Sequence, residues 1–361
     1  MQTLSTVTRT LYAQLLEDAL AWEVALSAGP SRGSAAVKRI GGTDYLYWQW
    51  RGLDGRVRQT YLGPQEGDGG QLAARLAEGA RSNQELIETL RRETAAFISA
   101  GGMGNLSEHF RVVEALTQAG FFQAGAVMVG THAFVALGNL LGVSWEGAGA
   151  RTQDIDFARD DSIALALGPE LRLDVPRTLK DLRMGFFEVS ELDVRQPSTS
   201  LATPRGPVKV DFLAPMRRPG QTAPIRIPQW NFSATPLRFM DYLLGGQLQR
   251  GLYVGAYAVP VTLPHPGRYA VHKIVVSQER AAAFAAKAEK DLVQAAQLVA
   301  ALAENRPQDL FDAMTAMHQA PGMARRFDAG LTRMSALPPT KAAHGAAVAG
   351  YLREVNLRLK V

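Results

Sequence analysis

Three aspartates lie inside apolar runs that read as β-strands, and this restricts the fold more than any other feature. Asp154 and Asp156 flank Ile155 in Thr-Gln-Asp-Ile-Asp-Phe-Ala, and Asp211 interrupts Val208-Lys209-Val210-Asp211-Phe212-Leu213. Side chains two apart on a strand share a face, so Asp154 and Asp156 converge while Ile155 and Phe157 face the packed side. Two carboxylates that close are unfavourable unless a cation sits between them. An unpaired charge in an apolar run is costly too, so Asp211 wants a metal or a base role; the plainer alternative is ordinary ion pairing, Asp211 with Lys209 and Asp154 with Arg151 or Arg159. Hard divalent ions take oxygen ligands and retain waters and substrate phosphates, so such a pair suits Mg²⁺ (or Mn²⁺).

The surroundings of these strands predict an α+β fold. From Phe121 short apolar runs alternate with helical segments, and Val127-Met128-Val129-Gly130-Thr131 reads as a strand that ends in glycine and turns into a helix. That pattern suits a small mixed sheet. The chain up to about Leu26 has helical spacing, and residues 36–63 change to a period of two with a hairpin turn at Asp54-Gly55. On the first strand of that hairpin Leu46, Trp48 and Trp50 share one face, and Tyr45, Tyr47 and Gln49 the other. Residues 71–99 return to helical spacing, and the glycines at 101–104 suggest a flexible joint. Beyond about residue 234 the character is mainly helical. The expected organisation is an N-terminal helix and β-hairpin region over 1–104, a catalytic core over 105–233, and a helical C-terminal domain over 234–361.

The Gly-Thr turn, the Asp-x-Asp strand and the later strand with one aspartate resemble the DNA-polymerase-β nucleotidyltransferase superfamily. Within it, Gly-Thr-His-Ala-Phe-Val-Ala-Leu-Gly-Asn-Leu-Leu-Gly followed by Arg-Thr-Gln-Asp-Ile-Asp-Phe-Ala is similar to a bacterial nucleotidyltransferase-like domain family, distantly related to AbiEii-type toxin nucleotidyltransferases. The resemblance implies Mg²⁺-dependent transfer of a nucleoside monophosphate from an NTP such as ATP. Asp154, Asp156 and Asp211 would be the metal carboxylates and catalytic residues, and Gly130 and Thr131 would lie beside the triphosphate. The position filled by Thr131 is most often Gly or Ser in the superfamily, and threonine keeps the hydroxyl. AbiEii-like relatives also pair a lysine with a later helical aspartate near the nucleotide, and Lys273, Lys287 and Asp291 are the similar positions.

Charge supports an anionic partner in the second half of the chain. Residues 1–214 carry 21 Lys and Arg against 25 Asp and Glu, and residues 215–361 carry 18 against 9. A basic surface raises the local concentration of a triphosphate or of RNA, and the same asymmetry equally suits an ordinary domain with a basic surface. Pro266-Gly267 opens a helix bearing Lys273 that reads as continuing toward Arg280, and Lys287, Lys290 and Asp291 follow on the next. Lys287 and Asp291, four apart, share a helix face and equally suit an ordinary solvated ion pair.

Other chemistries are poorly served. With no cysteine and six scattered histidines a zinc site is not expected. His132 and His272 read as packing residues, and the glycines at 101–104 lack the Lys-Ser/Thr of a P-loop. No signal-peptide core or membrane-length apolar stretch is visible, so the expected setting is cytoplasmic, with no membrane partner. The expected substrates are an NTP and a macromolecular acceptor, RNA (tRNA) first and a protein hydroxyl next, with a toxin role and an antitoxin partner implied only by the AbiEii resemblance. The alternative is a non-catalytic nucleic-acid-binding or regulatory protein that keeps the fold. The hairpin aromatics Tyr45, Tyr47, Trp48, Trp50 and Tyr61 could stack bases, but burial against flanking helices is the simpler expectation.

Overall fold

The apolar runs around the three aspartates form the middle of a mixed sheet. The computed structural model describes residues 1–27, 33–40, 43–51, 57–66, 68–147, 152–159, 172–191, 193–204, 206 and 208–359. Strands run in the order β1 (Gln2–Thr3), β2 (Ser34–Ile40), β3 (Thr43–Arg51), β4 (Val57–Pro64), β5 (Ala126–Val129), β6 (Val143–Ser144), β7 (Asp154–Arg159), β8 (Phe187–Glu188), β9 (Ser200–Ala202), β10 (Lys209–Pro215), β11 (Ile225–Ile227), β12 (Phe232–Leu237), β13 (Gln249–Val254) and β14 (Ala258–Leu263). The helices are α1 (Thr6–Ser27), α2 (Asp68–Ser99), α3 (Ser107–Gln118), α4 (Gly130–Leu141), α5 (Val175–Asp181), α6 (Met240–Leu244), α7 (Pro266–Val276), α8 (Ala285–Asn305), α9 (Pro307–Gln319), α10 (Met323–Ser335) and α11 (Gly345–Arg358).

The central sheet has the order β11-β12-β10-β7-β5, with β9 beside β10 and β8 beside β9. β7, β10 and β12 run parallel, while β5 is antiparallel to β7 and β11 to β12. Along β10 burial alternates residue by residue: Val210, Phe212 and Ala214 are buried, and Lys209, Asp211 and Leu213 lie on the other face. Ile155 and Phe157 of β7 join the buried face. There Phe157 meets Phe121 edge-on at 5.0 Å, and Phe212 packs against Trp230 and Phe232 at 5.9 and 5.1 Å. Aromatic rings in such tilted contacts bury large apolar area, so this side anchors the sheet and leaves the acidic face for a ligand.

The α+β architecture holds, with N-terminal helix and hairpin elements and a helical C-terminal region. Three details differ from the expectations. Before the C-terminal helices the chain makes one more hairpin, β13–β14, whose β14 is buried at every position. A strand buried on both faces lacks the period of two, which hides it among helices. Residues 34–64 form three strands, β2-β3-β4, and the Asp54-Gly55 turn lies outside the described residues. Finally, the glycine joint is pinned: the Met103 amide donates to Asn139 Oδ1 at 3.0 Å, Asn139 Nδ2 returns a bond to the Met103 carbonyl at 2.8 Å, and the Asn105 amide donates to the Val254 carbonyl at 2.8 Å.

Among the described residues no helix is long and apolar enough to cross a membrane. Phe157→Ala is expected to lower unfolding free energy by about 3–5 kcal/mol, because the ring is fully enclosed and its aromatic neighbours cannot collapse into the space. Urea denaturation of the variant beside wild type checks this.

Candidate active site

Register carries the three aspartates to one place. β7 and β10 pair in parallel with Asp156 opposite Asp211 and Asp154 opposite Lys209. Adjacent strands lie about 4.8 Å apart, so the acids occupy neighbouring strands at one level of the sheet. On the far side of Asp156, its antiparallel partner is Val129, the last residue of β5, and the chain turns at Gly130 into α4. Gly130 has φ +64°, and a Cβ there would fall 1.9 Å from Asp156 Oδ2, so only glycine lets the turn close over the carboxylate. The N-terminus of α4, with its unsatisfied amides, thus opens beside the acidic cluster.

Each acid has a different neighbourhood. Asp211 Oδ1 accepts a 2.5 Å hydrogen bond from Ser200 Oγ, opposite it on β9, and lies 2.7 Å from Lys209 Nζ. Lys287 Nζ is 3.8 Å from Asp154 Oδ2. Burial, and next the Asp211 charge, raises the Asp156 carboxyl to about 6, against the opposing pull of Lys273. Lys209, despite partial burial, is held above the usual lysine range by Asp211 and the other two acids.

The C-terminal helices supply the opposite charge. Lys273 is buried on α7, and its Nζ donates to Asp291 Oδ1 on α8 at 2.7 Å. Arg280 closes on the second oxygen of Asp291 through two bonds of 3.0 and 3.1 Å. Burial works against the Lys273 ammonium, yet Asp291 outweighs it and keeps the proton bound. Asp291 is itself held low by Lys273 and Arg280 in spite of its burial. α7 ends at Val276, before Arg280, so that arginine reaches Asp291 from the turn and not along a continuous helix. Tyr269 Oη donates to the Gly130 carbonyl at 2.6 Å, and Gln294 Nε2 to Thr131 Oγ1 at 3.3 Å, tying the Gly-Thr turn to α7 and α8.

Lys287 and Gln294, seven apart on α8, both face the site, so Lys290 between them falls on the same stripe. Burial, and next the charge of Lys273, pushes the Lys290 ammonium below the usual lysine range. Lys290, Lys209, Ser200, Tyr269 and Gln294 were not among the site residues read from sequence. Two had a periodic signal: Lys209 lies two before Asp211 on a strand, and Lys290 three after Lys287 on a helix. The others depend on which elements meet. His132 and His272 are enclosed, and burial lowers both to about 3, so they stay neutral at ordinary pH. His132 Nδ1 lies 3.0 Å from Tyr253 Oη and 3.2 Å from Asn105 Oδ1, a packing role.

Among the described residues no three His, Cys, Asp or Glu side chains are arranged to hold a metal ion as they stand. Lysines neutralise two of the three acids instead. The donor set nevertheless fits a hard divalent ion. It is all oxygen, its central acid resists ionisation beside Asp211, and the absent Cβ of Gly130 leaves room at Asp156 Oδ2.

A family model described as Nucleotidyltransferase matches residues 107–319 of the chain. Comparison with curated proteins and with solved structures gives no match.

Two consequences can be measured. Because folding raises the Asp156 carboxyl to about 6, the folded chain holds that proton more tightly than the unfolded chain. Stability from this group is present below the ordinary carboxylate range and lost as pH rises through about 6. Asp156→Asn is therefore expected to melt higher than wild type at pH 7.5, with the gap closing below about pH 4. Asp291→Ala strands the buried Lys273 charge and is expected to cost about 3–5 kcal/mol in chemical denaturation, whereas Lys287→Ala at the exposed pair should change stability by under about 1 kcal/mol.

Proposed function

The chain belongs to the nucleotidyltransferase family whose model spans residues 107–319, and on that premise we propose that it moves a nucleoside monophosphate from an NTP such as ATP to a macromolecular acceptor. The observation that carries this reading is the level placement of Asp156 and Asp211 on adjacent strands, with Asp154 two residues before Asp156 on the same face, beside the N-terminus of α4 and the lysine stripe of α8. RNA, particularly tRNA, is the favoured acceptor, because the surplus of cations lies in residues 215–361. A protein hydroxyl comes next.

Asp154, Asp156 and Asp211 would hold Mg²⁺ or Mn²⁺, which when bound polarises the α-phosphate and neutralises the leaving pyrophosphate. The chain's own groups do the positioning. In the proposed step an acceptor oxygen attacks the α-phosphorus, a phosphoester bond forms, the bond to the α–β bridging oxygen breaks, and pyrophosphate leaves with the electron pair. The nucleophile's proton passes to Asp211. Lys209 and Ser200 both engage Oδ1 of that residue, so Oδ2 is the atom assigned to the proton. Gly130 and Thr131 present α4 amides to the triphosphate, where anions are favoured. Lys287 and Lys290 neutralise its outer phosphates, and Lys273, oriented by Asp291, sets the charge beneath Asp156.

The proposed division follows the expected boundaries: 105–233 contributes the carboxylates, 234–361 the lysines, and 1–104 an accessory region. A cytoplasmic setting goes with it. A toxin role with a cognate antitoxin would follow from the AbiEii resemblance, and growth arrest by wild type but not by Asp156→Ala tests it. The Lys209–Asp211 and Lys287–Asp154 pairs favour a second reading, a nucleic-acid-binding protein whose acids are neutralised without a metal.

One assay separates the two. Purified protein is incubated with each α-labelled NTP, Mg²⁺ and either total tRNA or lysate protein. The transferase reading expects label in one acceptor with wild type and at least about a hundredfold less with Asp156→Ala. No label with any NTP and acceptor would sink it in favour of the binding protein.

A further inference from the structure

The three-stranded sheet β2-β3-β4 sorts its aromatics by face. Leu46 and Trp48 turn inward and are buried, as packing against α2 requires. The tyrosines turn outward. Register sets Tyr47 opposite Tyr61, and Tyr45 lies beside them on the same face of β3. The rings of Tyr45 and Tyr47 stand 6.0 and 5.4 Å from that of Tyr61, which is 53% exposed. Lys38, opposite Tyr45 on β2, holds its ammonium 4.4 Å from the Tyr47 ring centre. The row continues in polar groups, with Lys38 donating to Gln59 Oε1 at 2.7 Å and Gln59 to Gln49 Oε1 at 2.9 Å. The nearby carboxylate, Asp44, falls on the opposite phase of the strand, opposite Arg39.

We propose that this face is a platform for single-stranded RNA, the acceptor in the transferase reading on which this inference rests. Three closely spaced rings offer stacking surfaces to successive unpaired bases, a contact that tolerates any sequence. An ammonium with amide donors and no carboxylate among the described residues of that face suits a polyanion and disfavours an acidic surface. Duplex bases are already stacked on one another and cannot use the rings.

The test uses the full chain, a fluorescein-labelled single-stranded oligouridylate, the matching duplex and a fluorescent ATP analogue. Wild type is expected to bind the single strand more tightly than the duplex. Tyr47→Ala/Tyr61→Ala should weaken single-strand binding at least about tenfold, since each stacked base contributes roughly that much. Tyr47→Phe/Tyr61→Phe, which keeps the rings, should stay within about twofold. Lys38→Ala should reduce the slope of log affinity against log salt by about 0.7, the value for one phosphate contact on a single strand. Binding of the ATP analogue should be unchanged in every variant. If the double alanine variant fails to fold by circular dichroism, Tyr61→Ala alone, at the most exposed ring, gives the same test at a smaller expected loss. Single-strand binding at wild-type strength by the alanine variants overturns the platform. So does a wild type that binds the ATP analogue but no single strand, the outcome expected of a protein acceptor. Failure to bind the ATP analogue would count against the transferase reading and leave the RNA comparison to judge the platform.

Discussion

Repulsion among Asp154, Asp156 and Asp211 governs what the rest of the molecule has to supply. Two carboxylates on adjacent strands, about 5 Å apart, repel by roughly 3 kcal/mol at an effective dielectric near 20. The parallel register that aligns Asp156 with Asp211 makes this repulsion unavoidable once the sheet forms. The sheet can carry it because its other face is an aromatic core in which Phe121, Phe157, Phe212 and Trp230 interlock. Burial on that side fixes the phase of every strand, since a slip by one residue would bury the acids and expose the rings.

Positive charge is then gathered from elements far apart in the chain. Lys209 comes from the same strand as Asp211, Lys287 and Lys290 from α8, and the α4 amides from the end of β5. Lys273 is different in kind. It is buried and committed to Asp291, which Arg280 also grips, so this network stiffens the seam between α7 and α8 while projecting a field on Asp156. Lys287, by contrast, is exposed and only 3.8 Å from Asp154 Oδ2, a loose pair at the surface. Tyr269 and Gln294 complete the connection by holding the Gly-Thr turn against the same two helices.

Much of this could be read in advance from particular residues. The period of two placed Asp154 and Asp156 together, and the apolar run around Asp211 marked it as a strand carboxylate needing compensation. Gly130 at the end of β5 was recognisable as a turn. The hairpin β13–β14 was missed because a strand buried on both faces carries no alternation. The outward tyrosines and inward Trp48 belong to one stretch of sequence in which both faces are aromatic, so the pattern alone did not say which face would pack.

Local rules in the sequence, strand alternation and turn chemistry, determined that this chain would build an acidic face on a mixed sheet and a basic helical half. Lys209 and Asp211 pair within one strand, but tertiary structure alone decided the contacts of Lys273 with Asp291, Lys287 with Asp154 and Tyr269 with Gly130, which lie in different elements joined by packing. Side-chain period fixes a direction from the backbone. Only the docking of one element on another sets a distance, and charge interactions depend on distance.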